Sequence, residues 1–222
     1  MTAHRFADPP RMPDTGEAPA ERLARAEPLP GTAGQAYVER RGVPLHVAEA
    51  AGLRFDAHWC GRAAVLVPMR DQDGALTAVH GRYLHTVRGQ TKMLTVGSGG
   101  GVVGVLNGWR DEPLILVEGV FDALSLAVCG WSSVATLGRW APWLAQVTVR
   151  HVVWLGFDAN RPGEHEAARY AQWLPEATVH RLLPPPRCKD WSTALVKQGR
   201  GAVTRWLRAG LGVGDVGDTT AG

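Results

Sequence analysis

The chain has 222 residues, 45% of them hydrophobic and 20% charged, with a formal net charge of +3 and a pI near 9.0. That apolar fraction suffices for one good core, or two small lobes sharing a cleft, and excludes a disordered polyelectrolyte; the mild basicity fits a nucleic-acid partner without demanding one. Three scattered cysteines, Cys60, Cys129 and Cys188, exclude a zinc ribbon, which needs paired C-x-x-C spacing.

Residues 1–30 contain six prolines among charges of both signs. They offer no periodic apolar face and read as a disordered tail. The first residues lack a basic-then-apolar signal pattern, and no apolar run approaches the roughly 20 residues that span a bilayer. With the odd, unpaired cysteines, the expectation is a soluble cytoplasmic protein with no membrane partner.

Residues 32–52 suggest two short helices broken at Gly42-Val43-Pro44. Over 62–84, two apolar runs flank Asp73-Gly74, the signature of a hairpin. The glycine-rich stretch 97–108 lacks the Gly-Lys-Ser/Thr ending of a phosphate loop and reads as a flexible connection. At 112 the pattern changes. LILV (114–117) is a continuous apolar run, as expected of a strand covered on both faces. FDALSLAV then reads as a helix closed by Gly130, SSVATLG as a short strand, and HVVWLGF (151–157) as another. Pro162 suits a first helical turn, and the helix that follows would set Ala167, Ala171 and Leu174 on one face. VHRLL (179–183) is a further strand, and 211–222 is a flexible glycine-rich tail. Strands alternating with helices imply a parallel α/β sheet.

In such sheets ligands bind beyond the carboxyl ends of the strands. Acidic residues fall at those ends. Glu118 follows LILV, Asp122 lies four residues on, Asp158 follows VVWLGF, and Asp190 lies in the loop after VHRLL. Taken alone, Asp122 reads as a helix cap. Glu118 offers no cap. Gathered together, the four would repel one another, and a hard divalent cation with oxygen ligands would remove that cost. The basic residues Arg62, Arg70, Arg82, Arg88 and Lys92 fit either a phosphate-binding surface or a solvated face. Of nine tryptophans, Trp140 and Trp143 sit where they could stack on bases, although most of the nine read as core or interface residues. His80 and His85 have no partner cysteines, so no zinc role is expected.

LILVEGVFDALSLAVCGWSSVATLG followed by VVWLGFDANRPGEHEAARYAQWL resembles the Toprim domain of bacterial primases, type IA and II topoisomerases and related proteins. Glu118, Gly119 and Asp122 match its Glu-Gly-x-x-Asp, and Asp158 opens its Asp-x-Asp. Cys188-Lys189-Asp190-Trp191 resembles the Lys-Asp-Trp element of phage and plasmid members. The upstream half is similar to the small N-terminal lobe of a primase core, with AYVERRGV at its opening and Gly81-Arg82 and Lys92 on its basic surface. Two positions depart from the pattern. Asp-x-Asp reads Asp158-Ala159-Asn160, and the third acidic cluster reads Asp190-Trp191-Ser192. Each has lost one negative charge.

The resemblance implies an α/β protein: a Toprim-type parallel-sheet lobe at 111–210 and a smaller, basic, mixed α/β lobe at 31–110. Glu118, Asp122 and Asp158 would be catalytic. Glu118, Asp122, Asp158, Asn160 and Asp190 would hold Mg²⁺ or Mn²⁺, and Arg62, Arg82, Lys92 and Lys189 would bind nucleic acid or nucleotide. The implied activity is primase-type nucleotidyl transfer on single-stranded DNA in phage or mobile-element replication, with a helicase or template-binding protein as partner. A Toprim nuclease and a non-catalytic nucleic-acid-binding protein use the same residues and stay open. A phosphatase or receiver-like α/β domain with an acidic pocket is a weaker alternative, and for the phosphatase Pro162 stands where that reading wants a threonine.

Overall fold

The computed structural model describes residues 18–213. It divides the expected N-terminal tail: 1–17 lie outside the described residues, while 18–30 are built into the fold. Helix α1 (Pro19–Arg25) starts on proline, where the missing N–H costs nothing, and β1 (Glu27–Pro28) pairs antiparallel with β2 (Arg54–Asp56). The reading of 18–30 as disordered is corrected by a few apolar anchors among the prolines. Leu29 is fully buried, Ala26 nearly so, and Leu23 packs beside Trp59.

Thr32 then caps α2 (Ala33–Arg40), its hydroxyl accepting from the N–H groups of Gly34 and Gln35. Gly42 and Pro44 separate α2 from α3 (Leu45–Ala50), as expected. The hairpin also forms. β3 (Ala64–Arg70) and β4 (Leu76–Tyr83) pair antiparallel around the Asp73-Gly74 turn, with β5 (Met93–Gly97) added on β4. The first sheet is therefore fully antiparallel, ordered β1-β2-β3-β4-β5.

The 97–108 segment is not a flexible connection. It contains β6 (Val103–Val105), an edge strand of the second sheet. Its glycines are there for close approach. A Cβ on Gly97 would fall 2.4 Å from the Thr77 carbonyl oxygen, and one on Gly101 would fall 2.1 Å from Thr77 Oγ1. The second sheet continues with β7 (Leu114–Val117), α4 (Val120–Val128), β8 (Ser133–Ala135), a short α5 (Leu144–Val147), β9 (Val152–Leu155), α6 (Arg161–Trp173), β10 (Thr178–Arg181) and α7 (Trp191–Leu211). Its order is β10-β9-β7-β8-β6, with four parallel strands and β6 antiparallel at the edge. The α/β class and the Toprim-type parallel sheet beside a smaller mixed lobe are as expected.

Two expectations about side chains are corrected. On α6 the buried face is Ala167, Tyr170 and Leu174, and Ala171 is exposed. Tyr170 wins the position because its ring packs on Phe157 and its hydroxyl donates to the Arg139 carbonyl at 2.6 Å. Trp140 and Trp143 are structural. Trp143 is buried, donates its N–H to the Gly100 carbonyl and meets Trp109 edge-on, while Trp140 packs on Tyr170 and Trp173. At the C-terminus, α7 ends at Gly212 in the left-handed conformation (φ 69°), and 214–222 lie outside the described residues.

The first half of the Gly81-Arg82 pair has a packing reason. The Trp59 indole lies directly on Gly81, so a Cβ there would fall 2.0 Å from Nε1, whose N–H donates to the Leu94 carbonyl. Backbone and a buried indole cannot both give way. Gly81→Ala is expected to destabilise the fold by about 1–3 kcal/mol through overpacking, read as a lower midpoint in urea unfolding. An unchanged midpoint would mean that Trp59 is free to move.

Candidate functional site

The carboxyl ends of β7 and β9 open onto one cleft of about 360 Å³. Glu118 leaves β7 half-exposed, and Gly119 starts α4. The glycine is required because the Asp122 carboxylate folds back over it, and a Cβ would fall 2.8 Å from Asp122 Oδ2. Asp122 itself is buried in the first turn of α4. From β9 the chain passes through Gly156 and Phe157 to Asp158. Gly163, three residues into α6, leaves room for the Asp158 carbonyl, which a Cβ would approach to 2.1 Å.

The Lys-Asp-Trp element ties these segments together. Trp191 is fully buried, and its indole N–H donates to the Gly156 carbonyl at 2.8 Å. The Ser192 N–H donates to Asp122 Oδ1 at 3.0 Å, and Asp190 caps α7 by accepting from the Thr193 N–H at 2.6 Å. Lys189 Nζ lies 3.0 Å from Asp158 Oδ2 and 3.8 Å from Asp190 Oδ2. Glu118, Asp122, Asp158, Asp190 and Lys189 all line the cleft.

Electrostatics follow from this crowding. Burial, and then the charge of Asp158, push the Glu118 carboxyl above its usual range. Burial pushes Asp122 up to about 7 against the Ser192 hydrogen bond, with the neighbouring carboxylates adding to the rise. The hydrogen bond to Asp158 holds the Lys189 ammonium more firmly protonated than usual.

The opposite wall is basic and comes from the first sheet. Arg82 on β4 and Lys92 before β5 line the cleft, and Arg82 Nε donates to Tyr37 Oη at 3.3 Å. Sequence reasoning missed Arg41, which also lines the cleft. Its guanidinium sits 4.5 Å from the Phe121 ring centroid and 5.1 Å from that of Tyr37. The Arg-Arg-Gly of AYVERRGV was the signal available. His80 lines the cleft as well. It is buried, bonds Thr95 Oγ1 at 2.9 Å, and burial lowers its pKa to about 3, so it is neutral.

Two expected site residues are engaged elsewhere. Asn160 caps α6 by accepting from the Gly163 N–H at 2.9 Å, while its amide donates to Asp158 Oδ2 at 3.2 Å. Its oxygen faces the helix rather than the cleft, because the unpaired N–H of the first turn claims it. Arg62 is stacked 3.8 Å over the Tyr83 ring and donates to the carbonyls of His85 and Thr91, outside the cleft.

The donor chemistry fits a hard divalent cation, since all four acidic groups offer carboxylate oxygen and no soft ligand stands among them. Among the described residues, no three His, Cys, Asp or Glu side chains are close enough to form a ready cage.

Residues 115–195 match a family model described as Toprim-like, and residues 15–102 match a domain of unknown function, DUF7146. No curated protein matches the chain. Solved structures do. The zinc-binding and RNA polymerase domains of Aquifex aeolicus primase superpose with a TM-score of 0.66 at 18% identity, over 85% of this chain and 59% of that one. The RNA polymerase domain of Mycobacterium tuberculosis primase DnaG, in complex with double-stranded DNA, gives 0.68 at 16% identity, over 87% of this chain and 80% of that one. The primase fragment of the bacteriophage T7 primase-helicase protein gives 0.56 at 20% identity, over 76% and 72%. The chain thus spans about three-fifths of the Aquifex protein's solved length.

Asp122 yields a pH prediction. Its folded pKa of about 7 lies above the ordinary 3.8, so the native state binds the extra proton between those values. Stability contributed by this group is therefore full at low pH and falls as pH rises toward 7. Asp122→Asn keeps the acceptor for Ser192 and removes the charge. In the presence of chelator, the variant is expected to be more stable than wild type at pH 8 by at most about 4 kcal/mol. The gap should close as pH falls toward 4. Thermal unfolding across pH measures this, and a gap independent of pH would remove Asp122 from the linkage.

Proposed function

From a Toprim-like domain set within the fold of a primase catalytic core, we propose that this chain is a primase-like protein. It would carry out Mg²⁺- or Mn²⁺-dependent nucleotidyl transfer on a single-stranded DNA template. The observation that carries this reading is the cleft itself. Glu118 and Asp158, after strands of the second sheet, line one cavity with Arg41 at the end of α2, Arg82 on β4 and Lys92 before β5. An acidic wall opposite a basic wall suits a phosphate group that must be gripped and also attacked. The Lys-Asp-Trp resemblance to phage and plasmid members supports a place in phage or mobile-element replication.

In this reading Arg41, Arg82 and Lys92 position template and nucleotide phosphates. Glu118 takes the proton from the attacking 3′-hydroxyl as the new phosphodiester forms and pyrophosphate leaves. Glu118 and Asp158, with Asp122 and Asp190 behind them, would hold the cation, and Lys189 would give up part of its contact with Asp158. When bound, the cation neutralises charge developing on the transferred phosphate. A helicase or another template-binding protein would supply grip that a net charge of +3 supplies poorly.

The second reading, a nucleic-acid-binding protein without turnover, is favoured by one arrangement. Lys189 already neutralises Asp158, and Asn160 is committed to its cap. One incubation of the pure protein with single-stranded DNA, labelled nucleotides and Mg²⁺ or Mn²⁺ separates the readings. Longer products mean synthesis, shorter ones a Toprim nuclease, and unchanged DNA with a mobility shift binding alone.

Two variants refine the test. Glu118→Gln should lower synthesis by roughly 10²-fold or more with native circular dichroism; full activity would remove Glu118 from the chemistry. Arg82→Ala and Lys92→Ala should each weaken single-strand binding and lower the slope of log K against log salt by about 0.7. Slopes equal to wild type in both would make this wall a solvated face.

A further inference from the structure

The segment from Arg187 to Leu211 carries six basic residues and one acidic one. That acidic residue, Asp190, caps α7 and lies 3.8 Å from Lys189, leaving Arg187 as the cation of this stretch that borders the neighbouring hollow without a carboxylate beside it. Neither Arg187 nor Arg205 is ion-paired among the described residues, and both are exposed. So strong a local imbalance, on a chain of net charge only +3, marks a surface suited to polyanions.

The same surface holds the one exposed tryptophan, Trp206. Its indole N–H donates to the Leu183 carbonyl at 2.9 Å. The polar edge is thereby used internally and the ring is held in one orientation, so what meets solvent is a fixed aromatic surface, 41% exposed. Trp206 lines a hollow of about 440 Å³ together with Leu183, Pro184 to Pro186, Arg187 and Lys189. Lys189 also lines the acidic cleft, and Ala159, beside Asp158, lines the hollow. The two depressions therefore adjoin at Lys189.

We propose that this hollow is a second nucleic-acid subsite. In it Trp206 stacks on a base of the single strand beyond the cleft, and Arg187 and Lys189 hold the adjoining phosphates. An aromatic ring that hydrogen-bonds nothing outward takes any base, and flanking cations take the backbone, which is the chemistry of sequence-tolerant single-strand binding. A strand lying in the cleft and running past Lys189 enters the hollow beside Arg187. The inference rests on the cleft being a single-strand site, and its test separates the two.

The test uses fluorescein-labelled oligothymidylates of two lengths, one short enough to occupy the cleft alone and one that reaches Trp206. Fluorescence anisotropy is measured on the full chain. Trp206→Ala should weaken the long oligomer by about tenfold and leave the short one unchanged. Trp206→Phe, which keeps a ring, should restore most of the loss. Arg187 stands at φ 65°, where glycine is at ease, so Arg187→Gly removes the charge without backbone strain. It should lower the salt slope for the long oligomer only. Photo-crosslinking with 5-iodouracil in the long oligomer should label Trp206.

If the alanine variant fails to fold, the phenylalanine and glycine variants and the crosslink decide. Wild-type affinity in Trp206→Ala and Arg187→Gly, with crosslinks elsewhere, overturns the subsite. The cleft survives that result if Arg82→Ala and Lys92→Ala still weaken the short oligomer. Wild-type DNA affinity joined to altered sedimentation of Trp206→Ala makes the surface a protein interface and also overturns it. A wild-type protein that binds neither oligomer overturns both sites.

Discussion

Like charges gathered at the ends of parallel strands need partners, and here the start of α7 supplies them for three of the four carboxylates. The Ser192 N–H faces Asp122, the Thr193 N–H faces Asp190, and Lys189 lies against Asp158. A helix N-terminus carries unpaired N–H groups and partial positive charge, so carboxylates are stabilised there. Trp191 makes the arrangement rigid by tying the start of α7 to the Gly156 carbonyl, just ahead of Asp158. Were α7 displaced, Asp122 on α4 and the Gly156–Asp158 segment after β9 would lose partners at once. Buried carboxylates without partners cost several kcal/mol each. The geometry of the cleft therefore depends on a helix that supplies only Asp190, its cap, to the acidic set.

The second sheet alone offers acidity; the positive wall is supplied by the first. Arg41 sits over Phe121 of α4 and Tyr37 of α2, so an aromatic pair fixes a cation between the lobes. Tyr37 also accepts from Arg82. The contacts that join the sheets thus also orient the guanidinium groups that face Glu118 and Asp158.

Elements defined by continuous apolar runs were legible from sequence. LILV became β7, the Asp73-Gly74 turn joined β3 to β4, and Gly42-Pro44 divided two helices. The acidic strand ends were legible for the same reason, since a residue just after a buried strand has few places to go. What escaped depends on partners distant in sequence. α1 and β1 stand on Leu29 and the Trp59 region, which a count of prolines does not reveal. β6 is a strand because β8 offers it an edge, although its surroundings are rich in glycine. Asn160 stands at a ligand position of the acidic motif, while its oxygen is drawn to the Gly163 N–H, a partner that the motif does not reveal. Arg41 was hidden because its role comes from rings at positions 37 and 121.

The apolar interior ignores the boundary between the sheets. Val65, Val67 and Met69 of β3 share one cluster with Val103 and Val105 of β6, Ile115 and Val117 of β7, and Val203 and Leu207 of α7. The two family matches meet in the chain between residues 102 and 115, yet beneath the cleft one apolar cluster runs across that division. Such an interior makes the halves poor candidates for exchange by recombination. A Toprim half spliced onto a foreign partner would inherit the acidic motif but would meet water where β3 had been. Descent with the pair intact is the course this packing favours, and drift on one face of the shared interior would be answered by drift on the other.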